Sequence, residues 1–127
     1  MQNDTTNNEN SLLNEDASSE RSRIMVIDDE ESFLRVLQGV LEVNGYRVTT
    51  CTNAHDAIDN LRNNVYDLVI TDLKMPGMSG VEFVQNAKKI SPNSYLVVMT
   101  GFPSVETAVK CMKLGASDYL VKPFDME

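Results

Sequence analysis

The chain has 127 residues, 42% of them apolar, and its 11 basic and 19 acidic side chains give a formal net charge of −8. We expect one domain rather than two, with neither a secretory signal nor a membrane helix, since no stretch approaches about 20 consecutive apolar residues. The acidic balance argues against direct binding to nucleic acid or to an anionic membrane surface, because basic patches drive both.

The first residues differ in composition from the rest of the chain. Only four of the first 23 residues are apolar, and Asn, Ser, Asp and Glu dominate without periodicity. We therefore interpret residues 1–22 as a disordered acidic and polar lead and residues 23–127 as the domain. The two cysteines, Cys51 and Cys111, are too far apart for a CxxC motif, which favours a reducing, cytoplasmic setting.

Strands and helices alternate from residue 23 onward. The apolar run at residues 24–27 is typical of a strand covered on both faces. A helical apolar pattern follows and ends at Gly45, residues 46–51 favour a second strand, and Asn53 is a candidate N-cap of a second helix. The residues expected to face the core from these two helices are Phe33, Leu37, Val40, Leu41, Ala54, Ala57, Ile58 and Leu61.

The same alternation continues to the end of the sequence. A third apolar strand at residues 68–72 leads through a Met/Pro/Gly loop to a helix capped by Ser79. A fourth strand at residues 95–99 precedes a helix capped by Ser104, and residues 118–121 favour a fifth strand. A fifth helix should begin near Phe124, so the domain looks cut short. The residues expected to face the core from the third and fourth helices are Val81, Val84, Ala87, Ile90, Val105, Ala108, Val109 and Met112.

Five strands and four helices in strict alternation predict an α/β fold with a doubly wound, five-stranded parallel sheet in the order 2-1-3-4-5. In such a sheet, ligands bind beyond the carboxyl ends of the strands, where the strand order reverses. Polar residues follow four of the predicted strands at this edge. They are Asp28 and Asp29 after the first strand, Asp72 after the third, Thr100 after the fourth and Lys122 after the fifth.

Three carboxylates at one rim of a sheet indicate a cation. Two like charges about 4 Å apart repel by roughly 4 kcal/mol at an intermediate effective dielectric. Hard oxygen ligands in an open site favour Mg²⁺, which keeps several waters and shares phosphate oxygens. With Lys122 as a second positive charge and Thr100 as a hydroxyl, the group predicts a phosphoryl site in which an aspartate forms an acyl phosphate. Each residue alone has a plainer explanation, such as helix capping, but their coincidence favours a site.

Over residues 23–127, the sequence resembles the receiver domain of two-component response regulators. Five motifs in the same order carry the resemblance. They are VIDDE at 26–30, DLKMPGMSG at 72–80, MTG at 99–101, GASDY at 115–119 and VKPF at 121–124. The resemblance implies a flavodoxin-like receiver fold and a signalling function.

The resemblance also implies roles for individual residues. Asp72 would accept a phosphoryl group from the phosphohistidine of a histidine kinase. Mg²⁺ would be held directly by Asp29, by Asp72 and by the backbone carbonyl of Lys74, and through water by Asp28. Lys122 would pair with the phosphoryl oxygens. Since such a domain catalyses only its own phosphorylation and dephosphorylation, we expect a switch rather than an enzyme that turns over a free substrate.

The same resemblance makes Thr100 and Tyr119 a switch pair. Phosphorylation adds about −1.5 to −2 charge and three acceptor oxygens. The Thr100 hydroxyl would move to donate to one of them, and Tyr119 would rotate into the vacated space. This changes the face formed by the fourth helix and fifth strand, which would contact an output domain or a partner protein. A homodimer is a further option.

The sequence leaves open which output the predicted switch controls, and other functions compete with a receiver of a transcription activator. Residues 100–109 and 112–116 resemble receivers of the nitrogen-regulation class of transcription activators, so transcription is the expected output. A receiver of a hybrid kinase, or a stand-alone protein-interaction switch, is the alternative. A flavin carrier is disfavoured because the four acidic residues at 28–31 repel phosphate without a metal. A haloacid-dehalogenase-type phosphatase needs an aspartate where this chain has Glu30.

Two further residues have structural interpretations. His55, the only histidine, stands near a predicted helix start and is expected to have a surface or capping role. Cys111 follows Lys110 on the fourth predicted helix, and we expect an exposed, ordinary thiol there.

Overall fold

The computed structural model describes residues 21–122, and strands and helices alternate throughout this range. The elements are β1 Arg23–Ile27, α1 Glu31–Val43, β2 Arg47–Cys51, α2 Ala54–Asn63, β3 Leu68–Asp72, α3 Gly80–Ile90, β4 Tyr95–Thr100, α4 Val105–Lys113 and β5 Asp118–Val121. All strands are parallel, in the order β2-β1-β3-β4-β5. The predicted fold class is confirmed. Residues 1–20 of the predicted lead, and the helix start predicted near Phe124, lie outside the described residues.

Three helices begin at the residues that the sequence predicts. Asn53, Ser79 and Ser104 each accept a hydrogen bond through the side chain from a backbone N–H in the first turn of the helix. These bonds satisfy donors that a helix start otherwise leaves free. Helix α1 differs, because Glu30 at its N-cap makes no side-chain cap bond. Within residues 21–122, no helix is long and apolar enough to cross a membrane.

Apolar side chains cover the sheet on both faces, which explains the continuous apolar run in β1. Met25 and Ile27 point to the face that packs against α2, α3 and α4. Ile24 and Val26 point to the opposite face, which packs against α1. Successive strand residues alternate between faces, so a strand covered twice must be apolar at every position.

The predicted buried face of α4 is wrong. Val105 is 82% exposed, and Val109 and Met112 are each 46% exposed, whereas Cys111 is fully buried. The expectation of an exposed thiol at Cys111 is therefore also wrong. Helix α4 packs along the edge strand β5 and beside α3. An edge position buries only a narrow stripe of a helix, and here that stripe runs through Cys111 while the rest of the apolar face lies at the surface.

Two other helices bury residues that the apolar spacing missed. Phe83 in α3 is fully buried, while the predicted core residues Val81 and Ile90 are only partly buried. Leu34 in α1 is buried together with Leu37, and these two residues form the centre of the helix face that packs on the sheet. Helices α1 and α3 thus face the sheet at a slightly different rotation from the predicted one.

Candidate functional site

Asp28, Asp29 and Asp72 meet at the carboxyl ends of β1 and β3. One carboxylate oxygen of each lies within 4.8 Å of the others. Strands β1 and β3 are neighbours in the sheet, so Asp72, the last residue of β3, lies beside the two aspartates that follow β1. Asp28 is fully buried and Asp72 is 7% exposed, whereas Asp29 is exposed. The structure therefore brings together the three carboxylates that the sequence singled out.

Asp28 is held rigidly by both its backbone and its side chain. Its N–H donates to the carbonyl of Cys51 at 3.1 Å, which extends the pairing of β1 with β2 by one residue. Its Oδ1 accepts a hydrogen bond from the N–H of Glu30 at 3.0 Å. The N–H of Glu30, the N-cap of α1, has no partner within the helix, so its bond to Asp28 also stabilises the start of α1.

Lys122, at the end of β5, supplies the positive charge of the site. Its Nζ donates to Oδ2 of Asp28 at 2.5 Å and to Oδ2 of Asp72 at 3.3 Å. Burial is the largest single influence on its pKa and lowers it. The hydrogen bonds and charges of Asp28 and Asp72 together outweigh burial, so the pKa of Lys122 lies above its ordinary value. The ammonium is charged at neutral pH.

The ring of Phe33 faces the same ammonium group. Lys122 Nζ lies 4.5 Å from the centroid of the ring, within the range of a cation–π interaction. Phe33 stands in the first turn of α1 and packs against the cluster between α1 and the sheet. The sequence predicts only its apolar contacts, since nothing in the spacing of α1 shows that a lysine from β5 reaches it.

A second cation–π pair links two loops at the mouth of the site. Lys74 Nζ lies 4.1 Å from the centroid of the Phe102 ring. The backbone N–H of Lys74 donates to Oδ1 of Asp72 at 3.3 Å, and that of Phe102 donates to Oγ1 of Thr100 at 3.0 Å. The two loops border an open cavity of about 470 Å³ that is lined by most of the predicted site residues, though not by Thr100 or Tyr119. Its lining comprises Asp28, Asp29, Glu30, Asp72, Lys74, Gly101, Phe102 and Lys122.

Gly80 fixes the path of the loop that follows Asp72. Its N–H donates to the carbonyl of Leu73 at 2.9 Å. A Cβ on Gly80 would lie 2.4 Å from the Leu73 Cα, which is far closer than non-bonded carbon atoms approach. Only glycine fits here, and this close contact sets the backbone that carries Lys74.

Thr100 and Tyr119, the predicted switch pair, differ in their burial. Thr100 is 1% exposed at the end of β4, one residue before the part of the loop that lines the cavity. Tyr119 in β5 is half-buried, and its hydroxyl shares a hydrogen bond of 3.0 Å with the hydroxyl of Thr107 in α4. The structure thus brings Thr100 to the rim, while Tyr119 is bonded to α4.

The other singled-out side chains have structural surroundings. His55 lies at the surface of α2, whose N-cap is Asn53 rather than the histidine. Cys51 and Cys111 are buried free thiols. Burial and the charge of Asp56 raise the pKa of Cys51 to about 11, against a hydrogen bond from Asn60 that lowers it.

The donor set fits a divalent cation. Among Asp28, Asp29, Asp72 and Lys122, three negative charges face one positive charge, and two of the carboxylates are buried where water screens them poorly. A divalent ion would cancel that surplus, and carboxylate oxygens are the ligands that Mg²⁺ and Ca²⁺ prefer. The backbone carbonyl of Lys74 belongs to the loop beside these carboxylates.

Comparison with known protein families and with curated proteins indicates response regulators in both cases. The family description "Response regulator receiver domain" matches residues 24–127. The transcriptional regulatory protein ZraR of Klebsiella oxytoca is 40% identical over 110 residues, which cover 87% of this chain and 25% of that protein. The chain thus spans about a quarter of the length of the ZraR proteins it matches.

Two solved structures are similar as well. A response regulator from Burkholderia pseudomallei, with a phosphorylated aspartic acid, a calcium ion and citrate, aligns with a TM-score of 0.80 at 31% identity, over 83% of this chain and 62% of that one. The beryllofluoride-activated NtrC4 receiver domain dimer aligns with a TM-score of 0.77 at 39% identity, over 81% of this chain and 85% of that one.

Proposed function

The chain belongs to the response regulator receiver domains, a family of phosphorylation-dependent signalling, and on that premise we propose that Asp72 accepts a phosphoryl group from the phosphohistidine of a histidine kinase. The observation that carries the proposal is the shared ammonium of Lys122, which bonds to both Asp28 and Asp72 at the edge of the cavity. A cation held beside one carboxylate is the partner that a phosphoryl group on that carboxylate requires.

The position of Asp72 in the sheet favours it over the other two aspartates. Strand β3 lies between β1 and β4, and Asp72 pairs in register with Met99, the residue before Thr100. Asp72 therefore has β1, which leads to the other two aspartates, on one side and β4, which ends in Thr100, on the other. Asp28 is fully buried, and its two oxygens already accept bonds from Glu30 and Lys122.

The proposed transfer leaves atoms and charges balanced. A carboxylate oxygen of Asp72 attacks phosphorus, and the bond from phosphorus to the imidazole nitrogen of the donor breaks, so that an acyl phosphate forms. The electron pair of the broken bond stays on the imidazole nitrogen, and the ring leaves neutral because its other nitrogen carries a proton. Lys122 and the Thr100 hydroxyl donate to the phosphoryl oxygens. Asp28, Asp29, Asp72 and the carbonyl of Lys74 would hold Mg²⁺, whose charge, when it is bound, neutralises those oxygens. The domain acts as a switch and not as an enzyme with a free substrate.

We assign the switch to Thr100 and Tyr119. The Thr100 Oγ1 accepts a bond from the Phe102 N–H, so its own proton is free to go to a phosphoryl oxygen. Movement of Thr100 opens space beside β5, and Tyr119 would exchange its bond to Thr107 for a new position. The face of α4 and β5 would then bind an output domain, a partner protein or a second copy of this chain. The dimeric NtrC4 receiver supports the last of these.

Transcription is the output that we propose. Two relatives that share 110 and 109 residues with this chain, ZraR and AlgB, are transcriptional regulatory proteins, and this agrees with the expected nitrogen-regulation class. The receiver of a hybrid kinase is the second candidate, because the receiver motifs at 26–30, 72–80 and 121–124 do not by themselves specify the output. A cytoplasmic location follows from the same proposal and is supported by the two free thiols.

Labelling with acetyl phosphate and Mg²⁺ tests the proposal. We expect mass spectrometry to find one added phosphoryl group on the wild-type chain, none on Asp72→Asn, and none on either when EDTA removes the metal. Asp59→Asn is the matched control, because Asp59 is an exposed aspartate on α2 that pairs with Arg62 at 3.7 Å and takes no part in the carboxylate cluster. Labelling of Asp72→Asn at the wild-type level would contradict the assignment of the acceptor.

A further inference from the structure

We propose that Phe33 is a positioning residue for Lys122, whose ammonium it holds at the rim through the face of its ring. The inference rests on the proposed function, because it concerns how Lys122 reaches a phosphoryl group on Asp72. The observation behind it is the distance of 4.5 Å between Lys122 Nζ and the centroid of the Phe33 ring.

The path of Lys122 explains why it needs a third contact. Strand β5 is the edge of the sheet, and β4 and β3 separate it from β1. The lysine nevertheless reaches Asp28, the residue after β1, so its flexible four-carbon chain extends across the ends of two strands. A side chain of this length has many rotamers, and fixed contacts at its tip are needed to select one.

The three contacts of the ammonium match its three N–H groups. Two of them reach Oδ2 of Asp28 and Oδ2 of Asp72, and the ring face of Phe33 lies on the remaining side. The negative face of an aromatic ring attracts a cation. When a phosphoryl group on Asp72 replaces that carboxylate as partner, the ring contact can stay unchanged and keep the ammonium in place.

Phe33 is suited to this task because its own position is fixed. It belongs to the first turn of α1 and packs against the buried cluster that includes Leu34 and Leu37. The start of α1 is in turn joined to the site, because the N–H of Glu30 donates to Asp28. The ring thus connects the apolar core to the charged tip of Lys122.

Two variants of Phe33 separate its ring face from its apolar bulk. Phe33→Leu keeps an apolar side chain and loses the face, whereas Phe33→Tyr keeps the face. We expect Phe33→Leu to weaken binding of beryllofluoride, measured by NMR titration at saturating Mg²⁺, by about two- to tenfold. The affinity for Mg²⁺ alone should stay at the wild-type value, and Phe33→Tyr should restore beryllofluoride binding.

A ring-current shift provides a readout that stability alone does not move. Protons of the Lys122 side chain above an aromatic face resonate upfield, so we expect this shift in the wild type and in Phe33→Tyr and its loss in Phe33→Leu. Leu37→Val controls for packing, because it weakens the same cluster and should retain both the shift and the affinity. Equal beryllofluoride affinity in Phe33→Leu and the wild type, or an equal loss in Leu37→Val, overturns the inference.

The same measurements distinguish this inference from the proposed function. A wild-type chain that takes up no beryllofluoride with Mg²⁺ contradicts the proposed function. The ring-current shift is measured without any ligand, and its absence from the wild type would refute the positioning role of Phe33 whatever the outcome with beryllofluoride.

Discussion

Replacement of Gly80 by alanine tests whether the loop after Asp72 is set by steric contact. Gly80 is the first residue of α3, and Gly39 stands in the middle of α1. Helix propensity alone predicts that alanine stabilises both positions, by at most about 1 kcal/mol. The surroundings differ, because a Cβ at Gly39 meets nothing within 4 Å, whereas a Cβ at Gly80 meets Leu73.

The size of the clash gives the sign of the effect. A Cβ on Gly80 would lie 2.4 Å from the Cα, 2.7 Å from Cδ2 and 2.9 Å from the carbonyl oxygen of Leu73. Two of these atoms belong to the backbone, so rotation of the leucine side chain cannot relieve the contact. The loop must move by about 1 Å to reach an ordinary separation, and overpacking of this kind costs about 1–3 kcal/mol. This exceeds the gain in propensity, so Gly80→Ala is destabilised.

The displacement also reaches the site, because Leu73 lies between Asp72 and Lys74. A misplacement of about 1 Å at a reacting group costs up to about a hundredfold in rate, so acetyl phosphate should label Gly80→Ala much more slowly than the wild type. Urea denaturation should show a lower free energy of unfolding for Gly80→Ala and a higher one for Gly39→Ala. If both variants are stabilised, the steric argument at Gly80 is refuted.

Three further predictions concern the charged and polar groups. The pKa of Cys51 is about 11 in the folded chain, whereas that of a free thiol is about 8.5. The contribution of Cys51 to the free energy of unfolding is therefore constant below about pH 8.5 and falls by about 1.4 kcal/mol per pH unit from there up to the folded pKa. In urea denaturation between pH 8 and 11, the free energy of unfolding of Cys51→Ala should fall less steeply with pH than that of the wild type. Lys122→Met leaves the buried Asp28 without its ion-pair partner and should lower the free energy of unfolding by about 3 kcal/mol. In thermal unfolding, added Mg²⁺ should reduce this loss of stability, whereas EDTA should leave it unchanged. Ser104→Ala should cost about 1 kcal/mol in urea denaturation, because it removes the N-cap of α4, and an unchanged stability would argue against that cap.

The strand ends could be predicted because parallel topology leaves little freedom. Once the apolar runs fix five parallel strands, their carboxyl ends lie at one edge; Asp72 is the last residue of β3, and Asp28 and Lys122 directly follow β1 and β5. The order of the strands then places β1 beside β3. No detail of side-chain packing is needed for this step, so the sequence alone predicts that the charged residues meet.

The exposed face of α4 could not be predicted in the same way. Val105, Val109 and Met112 have the spacing of a buried stripe, yet they are exposed while Cys111 is buried. Apolar spacing shows that a helix has an apolar side, but it does not show how much of that side the sheet covers. At an edge strand of only four residues, the coverage is narrow. The contact of Phe33 with Lys122 was missed for a related reason, since it depends on the path of a side chain from a distant strand.

An aromatic ring is a better third partner for Lys122 than another carboxylate would be. The carboxylates of Asp28, Asp29 and Asp72 already outnumber the ammonium, and two of them are buried. A fourth carboxylate at the position of Phe33 would hold the lysine more strongly, but it would increase the repulsion within the site by several kcal/mol and would also repel an incoming phosphoryl group. The ring attracts the cation by about 0.5–2 kcal/mol without adding a negative charge. In the proposed role it thereby keeps Lys122 in place while leaving the ammonium available to a second anion, which is the combination that the proposed phosphorylation of Asp72 requires.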